Sequence, residues 1–269
     1  MSRGNLHATR IKPATPDLLT LHVLRRERLS PHFVRVTLGG GDIARFEPMG
    51  FDQWFRLFLP VSDDSLSRAP RRFTTAAYLR YLTVAKANRP ILRNYSVRAY
   101  RPDGPELDVD FVVHDPAGPA ATWAQTCTEG DPVAILDEGI GFNPPPLVRQ
   151  FLFATEESGL PALAGILSSL PHDARGQAFI EIPGPEDRQP LTAPAGIDIT
   201  WLVRDPATDT PGRAALAAAT AAPLPDGPCY GWVVGESTLP VTLRRHWLAN
   251  GIPPNHIMFC GYWKARRAN

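Results

Sequence analysis

The feature that most constrains this chain is a change of hydrophobic period at a proline run, "NPPP", over 143–146. Before it, apolar residues alternate. In "HFVRVTLGG", Val34, Val36 and Leu38 share one face of a strand, and Arg35 and Thr37 share the other. In "WFRLFLPV" the apolar set is Phe55, Leu57, Leu59 and Val61, with Arg56 and Phe58 opposite. "ELDVDFVVH" sets Leu107, Val109, Phe111 and Val113 against Glu106, Asp108 and Asp110. A period of two, broken by glycine and proline, means strands with one face in a core and the other in solvent. At least five such segments precede residue 140, which predicts a small antiparallel barrel with a short helical insertion over 75–83.

Beyond the prolines the pattern becomes strand, helix, strand. "RQFLFAT" reads as a buried strand, and "ESGLPALAGILSSLP" brings Leu160, Leu163 and Leu167 to helical spacing, with Ser158 as a helix N-cap. The strands "QAFIEIPG", "IDITWLVRD", "CYGWVVGE" and "HIMFCGYW" follow. Between them lie an alanine-rich helix over 212–222 and a second helix through "TLPVTLRRHWLANG". This alternation predicts a parallel α/β sheet. The link from Ile182 to Ile197 is too rich in proline for a regular helix, so one crossover is expected to be irregular. The expected architecture is therefore two-domain, β plus α/β: an antiparallel β-barrel over 15–146, then a parallel-sheet α/β half over 147–269.

Composition removes several classes of function. The 269 residues are 43% hydrophobic and 20% charged, an ordinary balance for a chain with a real core. A formal net charge of +1 leaves no global surface for a polyanion, so nucleic acid is not expected as a partner. Cys127, Cys229 and Cys260 form no CxxC pair, which argues against a disulfide framework and for a reducing, cytoplasmic setting. No run approaches the ~18 apolar residues of a membrane span, and membrane insertion is not expected. The seven histidines are scattered, without the spacing of a metal site. A "GxSxG" elbow is absent, and with it the simplest case for a nucleophilic hydrolase. A monomer is expected.

Two stretches carry chemistry. In "RNYSVR" a strand would point Arg93 and Tyr95 the same way, about 6–7 Å apart, with Ser96 on the other face. A guanidinium beside a phenol ring suits a phosphate next to a planar heterocycle. In "DVDFVVHDPAGPAATWA" a strand ends in Val113 and His114, and a turn then leads through Gly118, Pro119, Ala120, Ala121 and Thr122. Small residues at a helix start expose backbone N–H groups to an anion.

With "EGDPVAILDEG", "ATEESGLPALAGIL", "VVGESTLPVTLRRHWL" and the terminal "GYWKARR", these stretches give the chain its likeness to a known family. In order and spacing it resembles the siderophore-interacting proteins, flavin-dependent ferric-siderophore reductases of the ferredoxin-reductase-like superfamily. The resemblance runs from about residue 18 to residue 267 of the sequence. It implies an FAD-binding barrel, a nicotinamide-domain-like second half, and electrons from NADH, NADPH or ferredoxin passed singly to a ferric siderophore. By position, Arg93 would hold the FAD pyrophosphate, Tyr95 would pack on the isoalloxazine and Ser96 would bond near its N5. Val113 and His114 would sit by the cofactor, and the five residues from Gly118 to Thr122 would offer donors to its phosphates. Thr155 and Glu157 would face the flavin from the second half, and Trp263 would close the site. No catalytic residue beyond the flavin and no metal ligand is assigned. Arg56, Lys264 and Arg267 are the candidate cations for an anionic siderophore. Arg56 stands where many members carry lysine, and Asp137-Glu138-Gly139 replaces a frequent Gly-Pro-Arg turn. The glycine-rich nicotinamide fingerprint is replaced by "ATEESGLPA". A flavin reductase with another acceptor and a non-redox siderophore carrier are the alternatives.

Overall fold

The computed structural model describes residues 4–14, 16–205 and 210–265. They form two compact units. One is Lys12–Ile140; the other runs from Gly141 onward and takes in the N-terminal stretch through Ile11.

The first unit is all antiparallel. Its strands are β1 (Leu18–Ser30), β2 (Phe33–Gly39), β3 (Trp54–Leu59), β4 (Ile91–Ser96), β5 (Ala99–Arg101), β6 (Glu106–Val112) and β7 (Pro132–Gly139). They join in the order β4-β3-β7-β1-β2-β6-β5. The sheet is barrel-like but not closed by hydrogen bonds, because its edges are β4 and β5. The inner face carries the alternating set read from sequence, including Val36, Leu38, Phe55, Leu57, Val109 and Phe111.

The opposite face is not the solvated one that alternation predicts. Asp108 and Asp110 are 4% and 3% exposed. Arginines from neighbouring strands cover them. Arg101 grips Asp108 through both terminal nitrogens at 2.7 Å, and Thr37 donates to the same carboxylate at 2.7 Å. Arg35 holds Asp110 at 2.7 and 2.9 Å, and Arg25 holds Glu106 at 2.7 and 2.9 Å. The guanidinium of Arg25, with Arg101 beside it, holds the Glu106 carboxyl down to about 2. Elsewhere on this outer face a helix replaces solvent. The insertion is α2 (Thr75–Thr83), capped by Thr74, whose hydroxyl accepts from Ala77 N at 3.1 Å. It buries Phe58, Ala134 and Leu136 under Tyr81. In chain order α1 (Leu6–Thr9) precedes it and α3 (Pro119–Thr126) follows.

The second unit is a parallel sheet of β8 (Gln150–Thr155), β9 (Arg175–Ile182), β10 (Gly196–Val203), β11 (Cys229–Glu236) and β12 (Ile257–Trp263). Their order is β10-β9-β8-β11-β12. Helices α4 (Leu160–Ser169), α5 (Arg213–Ala221) and α6 (Thr238–Ala249) make three of the crossovers. The β9–β10 link holds only the short turn Pro185–Asp187, the irregular crossover its prolines predict. The outer edge of β12 is covered from an unexpected place. Asn5 takes the Phe259 amide on its side-chain oxygen at 2.9 Å and donates from its amide nitrogen to the Ile257 carbonyl at 2.7 Å. An exposed sheet edge is thereby blunted by the chain's own N-terminal segment.

Candidate functional site

The open edge of the first sheet places a cation where a core residue would stand. In the β3–β4 register Phe55 faces Tyr95 and Leu57 faces Arg93. Directly paired residues point to the same face, so Arg93 and Tyr95 lie on the inner face with two fully buried neighbours. Among the described residues no strand pairs beyond β4, and the Arg93 side chain is exposed. It donates to the Leu92 carbonyl at 2.7 Å and, among the described residues, forms no ion pair. The Tyr95 ring packs 4.3 Å from Phe111, which in turn lies 5.7 Å from Trp123. Burial pushes the Tyr95 phenol well above its ordinary range, so it stays neutral; Arg93 opposes that push. Ser96 faces the other way, paired with Trp54 and half-buried. The second guanidinium of "RNYSVR" serves the scaffold instead, since Arg98 lies 3.6 Å from Asp110.

Next to β4 and β6 lies α3. Val113 is buried at the end of β6, tied to the His32 carbonyl at 2.8 Å, and His114 is exposed. Gly118 is the N-cap of α3, at φ −76° and ψ 166°, with Pro119 at N1. No side chain caps this helix and its first turn holds no acidic residue. A Cβ built on Gly118 would meet nothing within 4 Å. Thr122 N–H is spent on the Gly118 carbonyl at 2.8 Å, which leaves the start of the helix to Ala120 and Ala121. The end of a helix carries about half a positive charge, and here nothing from the described chain answers it.

Arg56 is placed differently. Its Nε donates to Glu138 at 2.5 Å and its guanidinium lies 3.6 Å above the Phe73 ring. Glu138 therefore offsets its charge. Beside it, burial pushes Asp137 up to about 6, although Gly139 N–H and the Gln53 amide both donate to it at 2.8 Å.

In the second unit the strand order reverses between β8 and β11. At such a switch point, outside the carboxyl ends of the strands, open α/β sheets bind their ligands. Here that edge is dense with carboxyl groups. Thr155 is fully enclosed and its hydroxyl lies 3.1 Å from the Val234 carbonyl. Glu156 is fully buried as well. Its carboxyl accepts from Ser158 N–H at 2.8 Å, Glu236 N–H at 3.1 Å, the Trp263 indole at 2.9 Å and the Ser158 hydroxyl. Burial first, and Glu157 beside it, push Glu156 up to about 8 against the pull of these donors. Glu157 pairs with Arg204 at 2.7 Å, and Arg204 lies 3.5 Å from Glu181. Lys264 is exposed. Arg267 lies outside the described residues.

The structure thus brings Arg93, Tyr95 and the start of α3 to one unit, and Glu157 and Trp263 to one edge of the other. Reading by pattern missed Glu156, Glu181, Arg204 and Glu236. The cap assigned to Ser158 falls to Glu156, whose side chain accepts from Ser158 N–H. The doubled glutamate in "ATEESGLPA", just past a buried strand, was the available signal.

Comparison with known proteins follows the same division. Residues 22–140 match the siderophore-interacting FAD-binding domain and residues 148–266 match the siderophore-interacting protein family. An uncharacterized protein of Mycobacterium tuberculosis is 36% identical over 188 residues, 70% of this chain and 65% of its own length. The ferric vibriobactin reductase ViuB of Vibrio cholerae is 30% identical over 251 residues, covering 91% of this chain and 88% of that protein. The NADPH-dependent ferric-chelate reductase of Escherichia coli is 28% identical, covering 91% and 92%. Among solved structures, a siderophore utilization protein from T. fusca superposes with a TM-score of 0.78 at 30% identity, over 97% of this chain and 98% of that one.

Proposed function

The chain belongs to the siderophore-interacting protein family, and from that premise we propose that it is an FAD-dependent reductase of ferric siderophores. The observation that carries the reading is Arg93, a cation without an ion pair among the described residues on the core face of an open sheet edge, with Tyr95 beside it and the uncapped start of α3 nearby. Those groups fit a dinucleotide that has a diphosphate and a flat ring. Arg93 would grip the diphosphate together with the N–H groups of Ala120 and Ala121. Tyr95, held by Phe111, would lie against the ring. Ser96, Val113 and His114 would border it, and Gly118, Pro119 and Thr122 would shape the turn under the phosphates.

Magnitudes show that no single contact suffices. A charge-assisted bond to phosphate contributes about 1.5–3 kcal/mol and a ring contact about 0.5–1.5 kcal/mol. Nanomolar retention needs about 12 kcal/mol, so helix donors and ring burial have to act with Arg93.

Bound FAD would supply single electrons that convert Fe(III) to Fe(II). The hard oxygen donors of a siderophore hold Fe(III) far better than Fe(II), so reduction loosens the chelate. The protein then needs no iron ligand of its own, and among the described residues no His, Cys, Asp and Glu side chains gather as a metal cluster. Lys264 offers an exposed charge to an anionic chelate. Arg56 would add to it only what Glu138 leaves uncancelled. NADH, NADPH or a ferredoxin would supply the electrons, in the cytoplasm. Among the described residues no helix is long and apolar enough to cross a membrane.

The test is anaerobic. Protein loaded with FAD is reduced with dithionite, freed of excess reductant and mixed with ferric siderophores of catecholate and hydroxamate type in the presence of a ferrous trap. Trapped Fe(II) matched to flavin reoxidation is the expected result. Colourless protein that refuses FAD, or reduced flavin that leaves every chelate ferric, sinks the reading.

A further inference from the structure

The fold of the second unit implies a dinucleotide at its switch point, and the residues there do not fit one. Three helices start at the carboxyl edge of the parallel sheet, and a strand-end glutamate accepts from backbone N–H groups at the start of α5 and α6 and in the turn just ahead of α4. Entering α4, Ser158 N–H goes to Glu156, which also takes Glu236 N–H across the gap between β8 and β11. At the start of α6, Thr238 N–H goes to Glu236 at 2.6 Å, and Ala265 N–H reaches the same carboxylate at 3.2 Å. Ahead of and into α5, Gly212, Ala214 and Ala215 donate to Glu181 at 2.8, 2.8 and 3.1 Å. Glu156 and Glu181 are fully buried and Glu236 is 2% exposed.

A dinucleotide fold seats its pyrophosphate on such N–H groups at a helix start, and glycines let the phosphates approach the backbone. In this chain the glycine is present but serves the glutamate. Gly235, at φ +132°, lies so close to Glu156 that a Cβ there would stand 2.7 Å from its Oε1. The backbone approaches a carboxyl group that belongs to the protein. A phosphate arriving at the start of α5 or α6 would find its donors already taken by a glutamate, and ahead of α4 it would meet buried Glu156.

We infer that Glu156, Glu236 and Glu181 are internal occupants of the phosphate seats, so that the second unit holds no nicotinamide dinucleotide by its pyrophosphate. A nicotinamide donor is then recognised without its adenosine diphosphate half, and nicotinamide mononucleotide in its reduced form serves as well as NADPH. This deepens the reductase reading and rests on it for its consequence, although the binding claim can be tested apart from it.

Calorimetry with ADP-ribose and its 2′-phosphate on the FAD-loaded protein is the direct experiment. No saturable binding to about 1 mM is expected, and a Kd below about 0.1 mM overturns the inference. Stopped-flow bleaching then compares the two reduced donors, each giving up one hydride to the flavin and leaving the oxidised pyridinium. Rates within about three-fold agree with the inference; an advantage for NADPH above about ten-fold overturns it. If neither donor bleaches the flavin, calorimetry alone decides. Glu156→Ala, where it folds, should gain a thermal upshift with millimolar orthophosphate that wild type lacks, and equal responses overturn the role of Glu156. Calorimetry reads binding whether or not the chain reduces a ferric siderophore, and the dithionite assay uses no nicotinamide, so the two readings fail separately.

Discussion

Both units run a strand into a helix, and they treat the helix start in opposite ways. After β6 the chain reaches α3 through glycine and proline, with no cap and no acid in the first turn. At α5 and α6 the second unit sets strand-end glutamates on the first N–H groups, Glu181 on Ala214 and Ala215 and Glu236 on Thr238. The backbone dipoles are alike. What differs is whether a side chain has already occupied them. The capacity of a fold to bind an anion is therefore read from the donors left over, and not from the presence of a strand–helix turn.

The comparison breaks most sharply if the open start is filled. Gly118 sits in extended backbone that any residue adopts, with free space around its Cβ, so Gly118→Asp should fold. As an N-cap it would add only roughly a few tenths of a kcal/mol over glycine, itself a tolerated N-cap. It would also take the donors proposed for the phosphates and set a negative charge beside them. FAD affinity is expected to fall by about 100-fold while the apoprotein melts no lower. Unchanged flavin retention would remove α3 from the site.

The two arginines of "RNYSVR" sharpen the contrast within one strand end. Arg93→Ala should weaken FAD binding by roughly 10- to 100-fold and leave the apoprotein's melting temperature almost unmoved. Arg98→Ala should do the reverse. It withdraws one cation from buried Asp110, which keeps Arg35, so about 1–3 kcal/mol of stability is at stake. Equal effects on FAD from both variants would mean that position along the motif does not separate ligand from scaffold.

What the sequence makes legible follows from this contrast. Period locates both sheets, and proline content locates the irregular β9–β10 crossover, because each is a local property of the chain. Period cannot say what covers the second face of a strand. Asp108 and Asp110 look solvated by alternation, yet arginines from β2, from β5 and from the turn before β5 bury them. Arg93 is conspicuous because it interrupts an apolar face. Glu156 is not, because a glutamate after a strand usually faces water, and its donors include residues 80 and 107 positions away. Asn5 on β12 is hidden for the same reason.

The filled seat has a signature of its own in pH. Burial lifts Glu156 to about 8, and Glu157 beside it adds to the push. Its ordinary value in an unfolded chain is near 4.5. Between those two values the folded chain keeps a proton that the unfolded chain has lost, so stability falls as pH rises and levels off above about 8. Glu156→Gln cannot ionise. The melting temperature of wild type minus that of Glu156→Gln should therefore drop between pH 5 and 8 by at least about 2–4 °C. A flat difference would mean that the carboxyl titrates at an ordinary value and that its donors outweigh burial.

The smallest effect tests which way one of those donors acts. The Trp263 indole donates to Glu156 Oε1 at 2.9 Å, and a donor to a carboxylate favours its charged form. Trp263→Phe keeps most of the ring and deletes that N–H. The midpoint of the wild-type pH transition, taken against Glu156→Gln, should move up by roughly half to one unit, since one unit corresponds to about 1.4 kcal/mol. A midpoint that stays in place would show that the indole bonds the carboxyl only as a neutral acid.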